Sequence, residues 1–156
     1  MPKTRTDKRG PVGRSGPQVL QVTVSGRPEP LSRAAAVRAA QAVLRAERRQ
    51  ALLSITFVGR DRMRVLNRCW KGRRGLTDVL AFPLSVPGGF LAGDIYICRW
   101  QAAREARGRR IPLAEELIRL VVHGVLHVLG YDHPEGPGRV TSPMWRRQER
   151  LVRKLR

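Results

Sequence analysis

At 156 residues and 17.6 kDa the chain is the size of one domain with room for a real core. Its 31 Lys and Arg against 12 Asp and Glu give a formal charge of +19 and a pI near 11.8, a field that attracts polyanions. Two cysteines without CxxC spacing exclude a disulfide framework, and no apolar stretch approaches the length of a membrane span.

Residues 1–18 carry Lys3, Arg5, Lys8, Arg9 and Arg14 against Asp7, with Pro and Gly among them and no apolar run behind them. They read as a disordered basic extension rather than a signal peptide or transit helix. Their net charge of +4 leaves +15 for the remainder, so a tail does not account for the basicity. Alternation over 18–25 predicts a strand. Ser32 is placed to cap a helix from Arg33 to about Arg49, with Ala36, Val37, Ala40 and Leu44 on one side. Residues 52–58 read as a second strand and 61–70 as a short helix, followed by a basic, glycine-containing loop at 71–75. Residues 77–84 and 91–98 predict two more strands around a turn at Pro87, Gly88 and Gly89, and 99–107 a helix. Pro112 suits the first turn of the next helix, with Glu115 and Glu116 near its positive end. That helix runs through Leu117, Leu120 and Val121. After a Pro/Gly loop at 134–138, a basic helix from about Ser142 closes the chain. Four strands and about five helices in this order predict an α+β domain over 19–156, with helices packed on a small mixed sheet. Cys69 and Cys98 have apolar or aromatic sequence neighbours and are expected to be buried free thiols in a reducing compartment.

All three histidines fall in the run His123-Gly-Val-Leu-His127-Val-Leu-Gly130-Tyr131-Asp132-His133. His123 and His127, four apart, share one face of a helix and can converge on one Zn²⁺. Gly130 permits the left-handed residue that ends the helix, which would bring His133 in as a third ligand. Three imidazoles leave the fourth tetrahedral position to water, as in catalytic rather than closed structural zinc sites. They suit Ni²⁺ as well as Zn²⁺. Zinc proteases carry a general-base Glu directly after the first His of this helix. Here that position is Gly124, although the 1, 5, 11 spacing otherwise matches the metzincins. A hydrolytic substrate other than a peptide is the better inference.

Charge indicates which substrate. The basic excess recurs over 33–49, 60–74, 99–110 and 139–156, and Lys appears only at positions 3, 8, 71 and 154. Arginine forks bind phosphate in bidentate fashion, so charge and metal site together favour nucleic acid.

These residues carry a resemblance. The histidine run resembles the signature of the YbeY family, bacterial endoribonucleases of rRNA maturation. Leu66-Asn67-Arg-Cys-Trp70-Lys71-Gly72 and Thr77-Asp78-Val79-Leu80-Ala81-Phe82-Pro83 are similar to the family's Asn-x-x-Tyr-Arg-Gly and Thr-Asp-Val-Leu-Ser-Phe segments. Gly93-Asp94-Ile95 and Met144…Gln148-Glu149 also fall where the family has them. The resemblance covers roughly 19–155. It implies a cytoplasmic, metal-dependent endoribonuclease acting on single-stranded RNA, in 16S rRNA 3′-end maturation and ribosome quality control, with the small ribosomal subunit as partner. It departs from the family at Trp70 for Tyr, Lys71 for Arg, Leu76 for Pro and Ala81 for Ser. The family's Arg is implied to act on substrate phosphate near the metal. Lys71 keeps the charge but not the two-point grip, and Arg73 or Arg74 in the same loop could compensate as substrate-binding residues.

The mechanism expected of such a site begins with a water acidified toward a pKa near 7. It would attack phosphorus directly or relay a proton from a ribose 2′-hydroxyl, with Lys71 stabilising the developing charge. Asp132 would either orient an imidazole or cap the turn after Gly130. Asp78 and Asp94 are expected at strand ends and loops. The competing readings are a metal-stabilised RNA- or ribosome-binding factor without turnover, and a zinc hydrolase of peptides or small molecules.

Overall fold

The structure, a computed structural model, describes residues 21–156. The expected basic extension over 1–18, and the first residues of the strand expected at 18–25, lie outside the described residues. Four strands form one sheet in the order β1-β2-β4-β3: β1 (Gln21–Gly26), β2 (Ala51–Val58), β3 (Val79–Ser85) and β4 (Leu91–Cys98). β1, β2 and β4 run parallel, and β3 pairs antiparallel with β4 at one edge. The helices are α1 (Arg33–Ala46), α2 (Arg60–Lys71), α3 (Arg99–Arg109), α4 (Leu113–Val128) and α5 (Pro143–Leu155). This is the mixed-sheet α+β domain that the alternating and helical patterns predict. Among the described residues, no helix is long and apolar enough to cross a membrane.

Period-two patterning decides which face is covered. In β2, Ala51, Leu53, Ile55 and Phe57 are buried while the residues between them are only partly so. Ile55 and Phe57 pair in register with Ile95 and Ile97 of β4. The main core joins this face to α1 (Ala36, Ala40, Val43, Leu44), α4 and the inner side of α5 (Met144, Leu151, Val152). On the other face α2 sets Met63 and Leu66 against Leu80 of β3 and Cys98 of β4.

Element ends depart from expectation where local geometry intervenes. Helix α1 is capped by Ser32, whose hydroxyl accepts from the Ala35 amide at 3.0 Å, but it stops at Ala46 because Arg48 takes the left-handed conformation (φ 52°). Helix α2 runs one residue further than predicted, so Lys71 is its last residue and Gly72 (φ 62°) turns the chain away. Pro112 is the cap of α4 rather than part of its first turn, and Pro143 opens α5 behind the capping hydroxyl of Ser142. A 3-10 turn, Pro137–Thr141, begins inside the loop expected at 134–138 and fills the gap before α5. Two expectations are corrected. Cys98 is buried but Cys69 is exposed, because the buried side of α2 holds Met63, Leu66 and Asn67 and Cys69 faces away from it. Asp94 lies in the middle of β4, opposite Ser54 and Phe82, and not at a strand end.

Helix α4 is buried along most of its length and lies close on β4. A Cβ built on Gly124 would fall 2.6 Å from Ile95 Cγ2, and one on Gly93 would fall 2.5 Å from Val128 Cγ2. No side chain fits either position without displacing its neighbour. Gly124 therefore faces the sheet, and a carboxylate there would meet Ile95.

Candidate metal centre

The C-terminal half of α4 carries His123, which is buried, and His127, half-buried. The helix ends in a Schellman turn. Leu129 is its cap, Gly130 follows with φ 97°, the Gly130 amide donates to the His127 carbonyl at 3.0 Å, and the Tyr131 amide donates to the Leu126 carbonyl at 3.0 Å. This reversal returns the chain across the helix end and brings His133 beside the first two histidines, as the glycine predicts. One ring nitrogen from each of the three histidines lies within 4.8 Å of the other two. Asp132 Oδ1 accepts from the His133 amide at 2.8 Å, so this carboxylate caps the turn.

The other ring nitrogens fix the tautomers. His123 Nδ1 lies 2.6 Å from Gln148 Oε1, His127 Nδ1 3.0 Å from the Tyr131 carbonyl, and His133 Nδ1 3.0 Å from the Pro134 carbonyl. All three partners are acceptors, so each Nδ1 is the donor, and in neutral His123 and His127 Nε2 then keeps its lone pair. The Nε2 atoms of His123 and His127 are 3.0 Å apart. Two tetrahedral ligands held about 2.05 Å from one ion would be roughly 3.3 Å apart, so this pair fits a divalent cation after a shift of a few tenths of an ångström, with His133 within 4.8 Å of both. Burial, with the neighbouring imidazoles and Arg139, outweighs the Gln148 bond and pushes the His123 imidazolium down to about 3. Burial and the charge of His133 push His127 down as well. Both rings are neutral at pH 7, the form that binds metal.

Behind His123 lies a polar network that sequence reading missed. Gln148 is buried, and its amide nitrogen donates to Glu149 Oε1 at 3.2 Å, which leaves Oε1 to face the imidazole. Glu149 in turn receives Arg119 Nε at 2.8 Å and Nη2 at 3.2 Å. Arg119, itself buried, also donates to Glu116 at 2.9 Å and Glu115 at 3.1 Å. Burial pushes the Glu149 carboxyl up, but the Arg119 and Gln148 bonds outweigh it and hold the group below the usual carboxylate range. Glu116 goes the other way, its carboxyl pushed up by burial against the pull of Arg109 and Arg119. Sequence reading assigned Glu115 and Glu116 only to the helix dipole. Their spacing of four and three from Arg119 was the available signal.

The imidazoles line a cavity of about 560 Å³. Lys71, Arg73 and Arg74 line it from the end of α2 and the loop beyond, so all three expected basic residues border the cavity. Lys71 is exposed, with Nζ 5.6 Å from the Phe82 ring centre. Arg73 is also paired with Glu135, another lining residue, at 2.9 Å. Asn67, buried, donates to the Gly75 carbonyl at 3.3 Å and so anchors the 72–77 loop. Asp78, just ahead of β3, borders the cavity without joining the histidine group, its carboxyl pushed up chiefly by burial. Arg139 completes the wall from the 3-10 turn. Nothing local in the sequence marks it.

A family model described as Endoribonuclease YbeY matches residues 28–156. Among curated relatives, the endoribonuclease YbeY of Anaeromyxobacter sp. (strain Fw109-5) is 49% identical over 98 residues, which cover 62% of this chain and 51% of the relative. That of Sulfurihydrogenibium sp. is 43% identical over 84 residues, 52% of this chain and 55% of the relative. That of Persephonella marina is 35% identical over 108 residues, 67% and 70% respectively. The chain spans about half the length of the first of these relatives. A protein of Thermotoga maritima solved in solution shares the fold, with a TM-score of 0.59 at 24% identity over 88% of this chain and 89% of that one.

Proposed function

Since the chain belongs to the YbeY endoribonuclease family, we propose that it is a metal-dependent hydrolase that cuts single-stranded RNA in the cavity of His123, His127 and His133. The observation that carries this reading is the set of three converging imidazoles with their Nδ1 atoms turned onto acceptors and a cavity with cationic walls before them. One divalent ion held there, Zn²⁺ or Ni²⁺, would supply Lewis acidity and an acidified water. The chain's own residues do the rest. Gln148 and the Tyr131 and Pro134 carbonyls hold the rings in one tautomer. Lys71 meets the charge that develops on the phosphoryl oxygens, and Arg74 holds the strand beside it. Arg73 acts on RNA only by giving up Glu135. No glutamate faces the metal from α4, since Gly124 packs on Ile95, which disfavours the peptidase route.

The finer role follows from the same resemblance: maturation of the 16S rRNA 3′ end and quality control of ribosomes, in the cytoplasm and on the small subunit. The test is cleavage of a defined single-stranded RNA by the metal-loaded protein, with and without chelator, beside a His127→Ala variant. Cleavage should vanish with the metal, and the variant should lose stoichiometric metal. Intact RNA in the presence of fully loaded protein would favour an RNA-binding factor in which the ion only holds the fold.

A further inference from the structure

Of the arginines in the described chain, two are drawn into buried surroundings near the histidines, and they are treated in opposite ways. Arg119 is matched by three carboxylates, those of Glu115, Glu116 and Glu149. Arg139, half-buried on the 3-10 turn, has its Nε enclosed with no hydrogen-bond partner, and it forms no ion pair among the described residues. A guanidinium N–H removed from water and left unmatched is a standing penalty, and such groups in folded proteins call for an explanation. The surroundings supply one. Arg139 shares the cavity wall with His123, His127 and Asp78, and its charge is felt at all three.

We propose that Arg139 is a phosphate-binding residue of this cavity, whose guanidinium donates to a non-bridging oxygen of the RNA backbone. The inference rests on the reading of the cavity as a phosphodiester site. A planar fork matches two phosphate oxygens where a lysine offers a point charge. The loop side of the cavity carries Lys71, Arg73 and Arg74, while Arg139 stands on the separate 3-10 turn, so an anion in the cavity meets cations from two different elements. The alternative is that Arg139 serves the fold by balancing Asp78.

Inorganic phosphate titrated calorimetrically into the metal-loaded protein separates the two. Arg139→Gln should weaken phosphate binding by about tenfold to a hundredfold, the worth of a charge-assisted hydrogen bond, with metal stoichiometry unchanged. Its metal-free melting temperature should stay level or rise, because an unmatched charge has gone. Arg139→Lys keeps the charge without the fork and should bind with intermediate affinity, which preserves the test if the Gln variant does not fold. Equal phosphate affinity in parent and variant, or a parent that binds no phosphate, overturns the proposal. Phosphate binding through Arg139 with no RNA cleavage by the parent would sink the nuclease reading and leave this one standing. Cleavage with affinity unmoved by the substitution does the reverse.

Discussion

What an imidazole can do in this protein is decided at its far nitrogen. Gln148 imposes the Nδ1–H tautomer on His123, Glu149 orients the Gln148 amide, and Arg119 holds Glu149. Gln148→Ala should keep the fold but free the ring to rotate or swap tautomers. Metal affinity should fall about 10- to 100-fold, the usual effect of losing the partner of a ligating histidine, as read by competition with a chromogenic chelator. The same burial makes the metal-free protein sensitive to acid. His123 protonates at about 3 when folded against an ordinary 6.5, so the unfolded chain takes up the proton first. Its contribution is complete above 6.5 and is lost as pH falls from there toward 3. Melting temperatures of metal-free protein should decline through that window, and less steeply in His123→Leu. Parallel profiles would mean that His123 is more solvated than its 4% exposure implies.

Helix α4 depends on two glycines facing each other's elements, Gly124 toward Ile95 and Gly93 toward Val128. Gly124→Ala adds helix propensity and would stabilise an isolated helix. Here it should destabilise by about 1–3 kcal/mol through overpacking, measured by urea denaturation, and weaken metal binding because His123 is the adjacent residue. A stability gain would show that the contact is loose. Much of this element was legible in the sequence. The apolar run, the 123/127 spacing and the Gly130 stop are local signals, as is the capping Ser32 of α1. The depth to which α4 sinks on β4 was not, since it depends on which strand residue lies opposite. Gln148 and Glu149 lie 25 and 30 residues from the groups they hold, and no periodicity reports such partners. Cys69 was misplaced because its sequence neighbour Trp70, 67% exposed, is no guide to its surroundings. Arg139 sits in a Pro/Gly stretch whose 3-10 turn looks like loop in sequence.

Over the whole molecule, basic residues are distributed on α1, α2, α3 and α5 as well as at the cavity. A field spread in this way acts on a polyanion before any specific contact is made. Binding of single-stranded RNA should weaken linearly in log–log form as salt rises. Its slope should exceed what the cavity cations alone would release, which titration by fluorescence anisotropy at several salt concentrations can measure. Replacing basic residues on α5, remote in sequence from Lys71, should reduce that slope while leaving single-turnover cleavage at saturation unchanged. A slope indifferent to them would confine RNA to the cavity.

The three imidazoles are not equally anchored. Two ride on a helix embedded in the core, and the third hangs beyond its end on the turn that Gly130 opens and Asp132 caps. Opening residues 131–136 alone would withdraw His133 and leave a two-ligand site, at a free energy well below that of global unfolding. An ion bound here would therefore exchange on the timescale of a surface turn rather than the lifetime of the fold. Slowing that turn would lengthen the ion's residence time without touching a ligand.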